Sequence, residues 1–161
     1  MLISKVIRKT YIIIKRAYYT FFCRNICIGK GLNFRRNFLI NVSKNGKVEI
    51  GNNVFFNNEV TINAHSKVSI GDNCIFGENV KIYDHNHVFS DFNKPIYLQG
   101  YNCREVKIGN GCWIGSNATI LPGSNIGNNT IIGAGCVILG SIGSGMIVTA
   151  ANRELIIKRR N

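Results

Sequence analysis

An aliphatic residue returns at every sixth position near the end of the chain, and most of these residues are followed by glycine. The six positions are Ile108, Ile114, Ile120, Ile126, Ile132 and Ile138. A helix does not explain this spacing, because apolar residues six apart move around a 3.6-residue helix, and a single strand would need one at every second position. A fixed six-residue period is typical of a stacked β-solenoid, so we predict an all-β coiled architecture.

The same period occurs earlier in two registers that differ by two residues. The first register contains Ile50, Phe56 and Ile62, and the second contains Ile70, Phe76 and Ile82. The change of register predicts a bulged corner near Val68 and Ser69. Small or modest residues fill the fifth place of the blocks, and we expect the three cysteines found there, Cys74, Cys112 and Cys136, to be thiols of the core.

The repeat is missing from residues 84–105, a segment that contains two histidines, a proline and several aromatic residues. We interpret this segment as a loop ejected from the coils. Loops that leave a rigid scaffold commonly carry functional residues, because the scaffold itself tolerates few changes. The expected organisation is a basic amphipathic helix over residues 1–24, followed by one β-helix domain over residues 40–158.

The chain has 161 residues and a formal net charge of +12, and its cations are concentrated at the two ends. Such a charge suits nucleic acid, an anionic membrane surface or a phosphorylated ligand. No nucleic-acid-binding motif accompanies the charge, so we do not expect nucleic acid as a partner. The six cysteines form no CxxC motif and no cleavable signal is evident, which favours a reducing, cytoplasmic location.

Residues 1–24 carry apolar side chains at three-to-four-residue spacing, with lysines and arginines mostly on other faces. This pattern predicts a basic amphipathic helix. Charges interrupt its apolar stretch, so we do not expect a membrane-spanning helix. Two roles stay open: the helix packs on its own solenoid or a neighbouring subunit, or it makes a peripheral contact with the inner face of the membrane through anionic lipid.

The closing coils resemble those of a known family. The segments that carry the resemblance are Ile108–Ser116 (IGNGCWIGS), Ile120–Gly123 (ILPG), Ile126–Asn129 (IGNN) and Ile132–Gly135 (IGAG). They look like the last coils of the hexapeptide-repeat acyltransferases, in the branch of the maltose and galactoside O-acetyltransferases and their polysaccharide-modifying relatives. The resemblance covers about residues 40–158. It implies a left-handed parallel β-helix, a homotrimer with active sites between subunits, and acetyl-CoA as the acyl donor.

The resemblance also implies that His87 is the general base. The family has a catalytic histidine at the start of its ejected loop, and the segment Ile82–His87 (IYDHNH) places His87 there. A near-neutral imidazole can take the proton of a sugar hydroxyl as that hydroxyl attacks a thioester carbonyl. His85 shares a face with His87 if the segment is extended, and we expect it to contact the acceptor or His87.

Two further residues are implied to bind the acceptor. Asn57 corresponds to a polar asparagine that contacts the acceptor in sugar O-acetyltransferases, although a corner asparagine of the repeat is the alternative interpretation. His65 stands where the family has an acidic residue of the acceptor site, which leaves the identity of the sugar open.

The cofactor-binding residues are likewise implied by the resemblance. Trp113 corresponds to a tryptophan beside the thioester, and its alternative is packing against the next subunit. The places that hold the pantetheine arm are occupied by Ser116, Gly133, Ala134 and Gly135. Near the CoA phosphates the chain offers Arg153 and Lys158.

The sequence therefore predicts an acetyl-CoA-dependent O-acetyltransferase that modifies a sugar hydroxyl, in a surface polysaccharide or its precursor, without a metal. An amino-sugar N-acetyltransferase is the alternative, since an amine acceptor also has to lose a proton to His87. A carbonic anhydrase of the gamma type would use three histidines, but His85 and His87 are too close in sequence for that family's spacing. A noncatalytic solenoid has no reason to combine the histidine loop with Trp113.

Overall fold

A computed structural model describes residues 2–150 of the chain, with side chains described from residue 9 onward. The first element is helix α1 (Leu2–Phe22). It is followed by a parallel β-helix of about six coils, in which each complete coil contributes one strand to each of three sheets. The expected all-β, left-handed parallel β-helix with an N-terminal helix is confirmed.

The three sheets run the length of the solenoid. Sheet 1 contains β1 (Ile26–Ile28), β4 (Lys47–Ile50), β7 (Lys67–Ile70), β12 (Val106–Ile108), β15 (Asn125–Ile126) and β18 (Ser141–Ile142). Sheet 2 contains β2 (Asn33–Phe34), β5 (Phe55–Phe56), β8 (Ile75–Phe76), β13 (Trp113–Ile114), β16 (Ile131–Ile132) and β19 (Ile147–Val148). Sheet 3 contains β3 (Leu39–Val42), β6 (Thr61–Ala64), β9 (Lys81–Tyr83), β14 (Thr119–Ile120) and β17 (Val137–Ile138).

The solenoid begins earlier than the repeat pattern indicates. Its first coil starts at Ile26 and not near residue 40, because β1 pairs with β4 in regular parallel register. This coil keeps the six-residue period at Ile28, Phe34 and Ile40, which pair with Ile50, Phe56 and Ile62, but a longer corner, ten residues from Ile40 to Ile50, separates it from the coils that follow.

Coils differ in length at one corner only, between sheet 3 and sheet 1. Successive strands of sheet 1 pair at offsets of 22, 20, 38, 18 and 16 residues, as in the pairs Ile26↔Val48 and Val48↔Val68. The 38-residue offset contains the ejected loop. The two-residue shift lies at His65 and Ser66, so the bulge expected near Val68 and Ser69 is wrong: both belong to β7, which pairs without a break.

The corner between sheets 1 and 2 carries a repeated hydrogen bond. A side-chain oxygen of each coil accepts the backbone N–H of the corresponding residue in the preceding coil. Asn52 accepts from Lys30 (2.8 Å), Asp72 accepts from Asn52 (2.6 Å) and Asn110 accepts from Asp72 (2.8 Å). A Cβ at the glycine before each of these oxygens would overlap the next coil, as Gly51 shows against Asp72. The Ile-Gly pair of the repeat is therefore a packing requirement.

The interior is a stack of inward side chains. In the first three coils the rings of Phe38, Phe56 and Phe76 stack with centroids 4.5 and 4.7 Å apart. The predicted core thiols are confirmed, because Cys74, Cys112 and Cys136 are all buried.

Helix α1 packs on the first coil. The buried Tyr19 ring stands edge-on to Phe38 at 6.3 Å, and its hydroxyl accepts the backbone N–H of Ile40 at 3.1 Å. Lys15 donates to the carbonyl oxygen of Phe38, and Arg16 donates to that of Gly29 at 3.2 Å. The packing role expected for the helix is thus seen on its own solenoid. Among the residues described, no helix is long and apolar enough to cross a bilayer.

We expect Phe56→Ala to lower the free energy of unfolding by about 3–5 kcal/mol, because it opens a cavity in the middle of the ring stack. Phe55→Ala is the matched control, since the neighbouring Phe55 side chain points outward from the same strand and is half-buried. Urea unfolding of both variants measures the difference. Equal losses for the two variants would contradict the inward stack.

Candidate active site

The ejected loop begins as a two-stranded antiparallel hairpin at the corner after sheet 3. Strand β10 (His85–His87) pairs with β11 (Tyr101–Cys103), and a short 3-10 turn (Ile96–Leu98) lies between them. The backbone N–H of Arg104 donates to the carbonyl oxygen of Asp84 at 2.7 Å, which closes the base of the loop. The extended strand places His85 and His87 on one face, as predicted.

Asp84 is the fixed point of this corner. Its side chain is fully buried and accepts the backbone N–H groups of His65 (2.8 Å) and Ser66 (2.7 Å) from the coil below. The same carboxylate lies 3.0 Å from Nδ1 of His85. An ionised carboxylate only accepts, so Nδ1 of His85 donates, and in the neutral ring Nε2 is left as the acceptor.

Four aromatic rings gather around this anchor. The centroids of His65 and His85 are 3.9 Å apart with their planes inclined by 30°. The ring of Tyr101 lies 4.3 Å from that of His65 and 4.7 Å from that of His87. The structure therefore brings together three of the predicted site residues, His65, His85 and His87, and adds Tyr101.

The three histidines differ in their surroundings. His87 is exposed, whereas the side chain of His85 is mostly buried against Asp84. Burial lowers the pKa of His65, the nearby His85 lowers it further, and the carboxylate of Asp84 acts in the opposite direction. His65 is therefore a neutral ring near pH 7.

The other predicted site residues lie at a different corner, between sheets 2 and 3. Trp113 begins β13, is half exposed and points outward, with Ile75 and Ile131 as its strand neighbours. Ser116 follows β13, accepts the backbone N–H of Glu78 through its hydroxyl at 3.2 Å, and accepts the N–H of Gly135 through its carbonyl at 2.8 Å. The five residues that line this corner in coils four and five are Trp113, Ser116, Gly133, Ala134 and Gly135.

Asn57 belongs to this second corner and not to the histidine corner. It directly follows β5, and its side-chain oxygen accepts the N–H of Asn58 at 2.9 Å. The two corners lie at opposite ends of the strands of sheet 3. The longest of these strands have four residues, so the corners are roughly 13 Å apart at about 3.3 Å per residue. Within one chain, Asn57 and Trp113 do not join the histidine cluster. Arg153 and Lys158 lie outside the described residues.

Asp84 and Tyr101 are the residues that the sequence interpretation missed. Asp84 occupies an inward position, stacked above Val42 and Ala64, where the other coils have small apolar residues. An acid at an inward position next to two histidines is a signal that could have identified it. Tyr101 has no such signal, because its position depends on the pairing of β10 with β11.

Among the described residues, neither a metal centre nor the main surface groove coincides with this site. Within the described part of the chain, no three His, Cys, Asp or Glu side chains are arranged to hold a metal ion. An open groove follows the corner between sheets 1 and 2, lined in part by Gly29, Gly51, Gly71 and Gly109. It contains none of the predicted site residues.

Comparisons with known proteins agree with this architecture. The family of bacterial transferase hexapeptides (six repeats) matches residues 105–140, and the hexapeptide repeat of succinyl-transferase matches residues 67–82. The putative lipopolysaccharide biosynthesis O-acetyl transferase WbbJ of Escherichia coli is 35% identical over 66 residues, which cover 41% of this chain and 34% of WbbJ. The chain thus spans about a third of the length of the curated relatives it matches.

Solved structures share the fold. A hexapeptide-repeat acetyltransferase of Vibrio cholerae, complexed with acetyl coenzyme A, superposes with a TM-score of 0.69 at 21% identity, covering 83% of this chain and 71% of the other. A galactoside acetyltransferase in complex with coenzyme A has a TM-score of 0.60 at 27% identity, covering 76% and 60%.

The chain has the fold of a left-handed β-helix, and it carries hexapeptide repeats over the matched residues. Its similarity to the hexapeptide-repeat acyltransferases, in the branch that includes galactoside acetyltransferase, confirms the resemblance drawn from the closing coils.

We expect Asp84→Asn to lower the free energy of unfolding by roughly 1–3 kcal/mol, because an amide cannot accept from both backbone N–H groups and His85 as a carboxylate does. The variant should also shift the tautomer of His85, which ¹⁵N NMR of the imidazole reports. Asp72→Asn is the control, since its carboxylate accepts at an exposed corner. An unchanged His85 tautomer would refute the anchoring role.

We also expect His65 to make the stability of the fold depend on pH. Because the folded-state pKa of His65 is lowered, protonation favours the unfolded chain: this part of the stability is present above the unfolded pKa of about 6.5 and is lost as the pH falls through the folded pKa. Between about pH 7.5 and pH 5, wild type should therefore lose more stability than His65→Asn. Urea unfolding at both pH values measures this, and equal losses would contradict the assignment.

Proposed function

We propose that the chain is an acetyl-CoA-dependent O-acetyltransferase acting on a sugar hydroxyl, with His87 as the general base. The observation that carries the proposal is the histidine cluster at the root of the ejected loop, held on buried Asp84. A solenoid that served only as a scaffold would gain nothing from a buried carboxylate that orients an imidazole. The similarity to a galactoside acetyltransferase and to WbbJ supports the reaction class.

The proposed reaction is a direct transfer. The exposed ring of His87 takes the proton of the acceptor hydroxyl while that oxygen attacks the thioester carbonyl of acetyl-CoA. The tetrahedral intermediate then collapses: the carbon–sulfur bond breaks, and the CoA thiolate takes the proton back from the imidazolium of His87. The oxygen–acetyl bond remains on the sugar. No covalent bond to the protein forms, and His87 ends the cycle neutral.

The rings around His87 suit a sugar. The ring of Tyr101 lies against His87 at 4.7 Å and is itself packed on His65 and His85, and aromatic surfaces of this kind pack on the C–H face of a pyranose while their polar atoms meet hydroxyl groups. Nε2 of His85 is the acceptor atom available for a hydroxyl, because Nδ1 is committed to Asp84. The similarity to WbbJ, a putative lipopolysaccharide biosynthesis O-acetyl transferase, supports a polysaccharide or its precursor as the acceptor.

The distance across sheet 3 supports an assembly in which subunits share the site. The thioester-side residues, Trp113 and Ser116, lie at one corner and His87 at the next, so the histidine corner of one subunit has to meet the Trp113 corner of another. An outward column of apolar residues on sheet 2 offers the contact surface: Phe55, Ile75, Trp113, Ile131 and Ile147. A homotrimer with acetyl-CoA and Asn57 between neighbouring subunits satisfies both observations.

An amino sugar is the alternative acceptor. The same base would serve it, because attack by an amine also ends with loss of a proton. Paired glycosides that differ only in a hydroxyl or an amino group distinguish the two: transfer to the hydroxyl compound alone supports O-acetylation, and transfer to the amine alone favours the N-acetyltransferase.

We expect His87→Ala to lower kcat by about 10²- to 10⁴-fold in a thiol-release assay with acetyl-CoA and a panel of glycosides and nucleotide sugars. CoA binding, measured by calorimetry, should persist, since the cofactor residues lie at another corner. His65→Asn is the matched control within the cluster and should alter KM for the acceptor more than kcat. Full activity of His87→Ala would refute the assignment of His87 as the general base. Failure of the wild-type protein to bind CoA would refute the proposed acyltransferase activity itself.

A further inference from the structure

We infer that the chain docks on an anionic lipid bilayer through the outer face of α1 and the rim of the first coil. The inference concerns the described residues 9–48 and needs no part of the proposed chemistry. Three observations carry it: a fixed apolar face, a ring of cations around that face, and the sign of the charge.

The apolar face of α1 points away from the solenoid and cannot turn inward. Tyr19 is buried over Phe38, and Arg16 donates to Gly29, so this side of the helix is committed to the first coil. The side chains left on the outside include Phe21 and Phe22, which are 78% and 79% exposed. The other exposed apolar residues of the helix are Tyr11, Ile13, Ile14 and Tyr18.

These residues form a surface and are not scattered. Ile14, Tyr18 and Phe21 follow one another at intervals of four and three, which places them along one side of the helix. Tyr11 lies at the edge of this face, because its ring is edge-on to Phe34 of the first coil at 5.8 Å. The rings of Tyr18 and Phe22 stack with centroids 5.9 Å apart. Aromatic side chains are the ones that prefer the boundary between lipid headgroups and acyl chains.

Exposed cations surround this face at all three corners of the first coil. Lys30 lies at the corner after β1, Arg35 and Arg36 lie after β2, and Lys44 lies after β3. Over residues 1–48 the sequence contains eleven lysines and arginines and no aspartate or glutamate. The capped end of the solenoid is therefore cationic throughout, whereas the remaining 113 residues carry nine basic and eight acidic residues.

The positive charge around the apolar face favours an anionic bilayer over a second copy of the chain as its partner. A second copy that covered the apolar face with its own would bring two cationic rims together, and like charges across an interface disfavour pairing. An anionic bilayer satisfies both features at once, because acyl chains receive the aromatic residues while phosphate headgroups meet the lysines and arginines.

Docking at this end would also set the distance between the membrane surface and the histidine corner. Asp84 follows the third coil, two coil spacings beyond the first, which is roughly 10 Å at about 4.8 Å per strand. If the proposed function holds, this height places the site where the sugar of a lipid-linked acceptor would be presented.

The test is flotation of the full-length protein with vesicles. We expect binding to vesicles of phosphatidylcholine with 30% phosphatidylserine, taken as roughly the anionic content of a charged leaflet, and little binding to pure phosphatidylcholine. Binding should fall as salt is raised, because the phosphates and cations are screened. Equal binding to both vesicle types, or none to either, would overturn the inference.

Matched variants locate the surface. Phe21→Ser with Phe22→Ser should lower the bound fraction at least about fivefold by removing the inserted rings, while Leu139→Ser, at an exposed apolar residue near the far end, should not change it. Lys30→Gln with Lys44→Gln should weaken binding, and Lys94→Gln with Lys107→Gln is the control of equal charge. Thermal unfolding by circular dichroism checks that each variant is folded.

A last readout separates lipid from a second copy. If Phe21→Ser with Phe22→Ser lowers the mass of the particle in light scattering and leaves vesicle binding unchanged, the face is covered by another subunit and the inference is wrong. Thiol release with a soluble acceptor should be the same as in wild type for this variant. Loss of vesicle binding with retained transfer therefore distinguishes a failure of docking from a failure of the proposed chemistry.

Discussion

The fold depends on the hydrogen bonds between one coil and the next. Each coil pairs in parallel with its neighbours in all three sheets, and side-chain oxygens such as those of Asn52 and Asp72 repeat the same bond at the corner. From sheet 1 to sheet 2 and from sheet 2 to sheet 3 the inward residues stay six positions apart, and a shift by one residue would turn them out of the stack. Only the corner after sheet 3 is free of this constraint, and the insertions of the chain are found there.

The histidines of the proposed site lie at this variable corner. The residues inserted between β6 and β7 include His65, and the much longer insertion after β9 contains His85 and His87. Stacking of coils brings the two insertions into contact, and buried Asp84 joins them through the N–H of His65 and the ring of His85. The regular coils supply rigidity, and the variable corner carries the histidines of the proposed site.

Two exposed apolar surfaces of the molecule differ in the charge around them. At the first coil, α1 covers the aromatic stack with Tyr19 and turns Phe21 and Phe22 outward, within a rim of cations. Towards the last coils, sheet 2 carries an apolar column that includes Trp113 and Ile131. The first surface is suited to lipid by its charge. The second carries no such excess of charge and suits another copy of the chain, as the proposed shared site requires.

The sequence alone determined the solenoid, the ejected loop and the amphipathic helix, because the six-residue period, its interruption and the three-to-four spacing each follow from local geometry. The prediction from sequence missed the first coil, because the long corner between Ile40 and Ile50 separates its repeat residues Ile28, Phe34 and Ile40 from the later ones. It placed His65, His85 and His87 on the chain, but only the tertiary structure decided that they meet, since 20 residues separate His65 from its partner in the coil above. The anchoring by Asp84, the contact with Tyr101 and the separation of Asn57 and Trp113 from the histidines arise from the stacking of coils, which is a long-range pairing that no local pattern records.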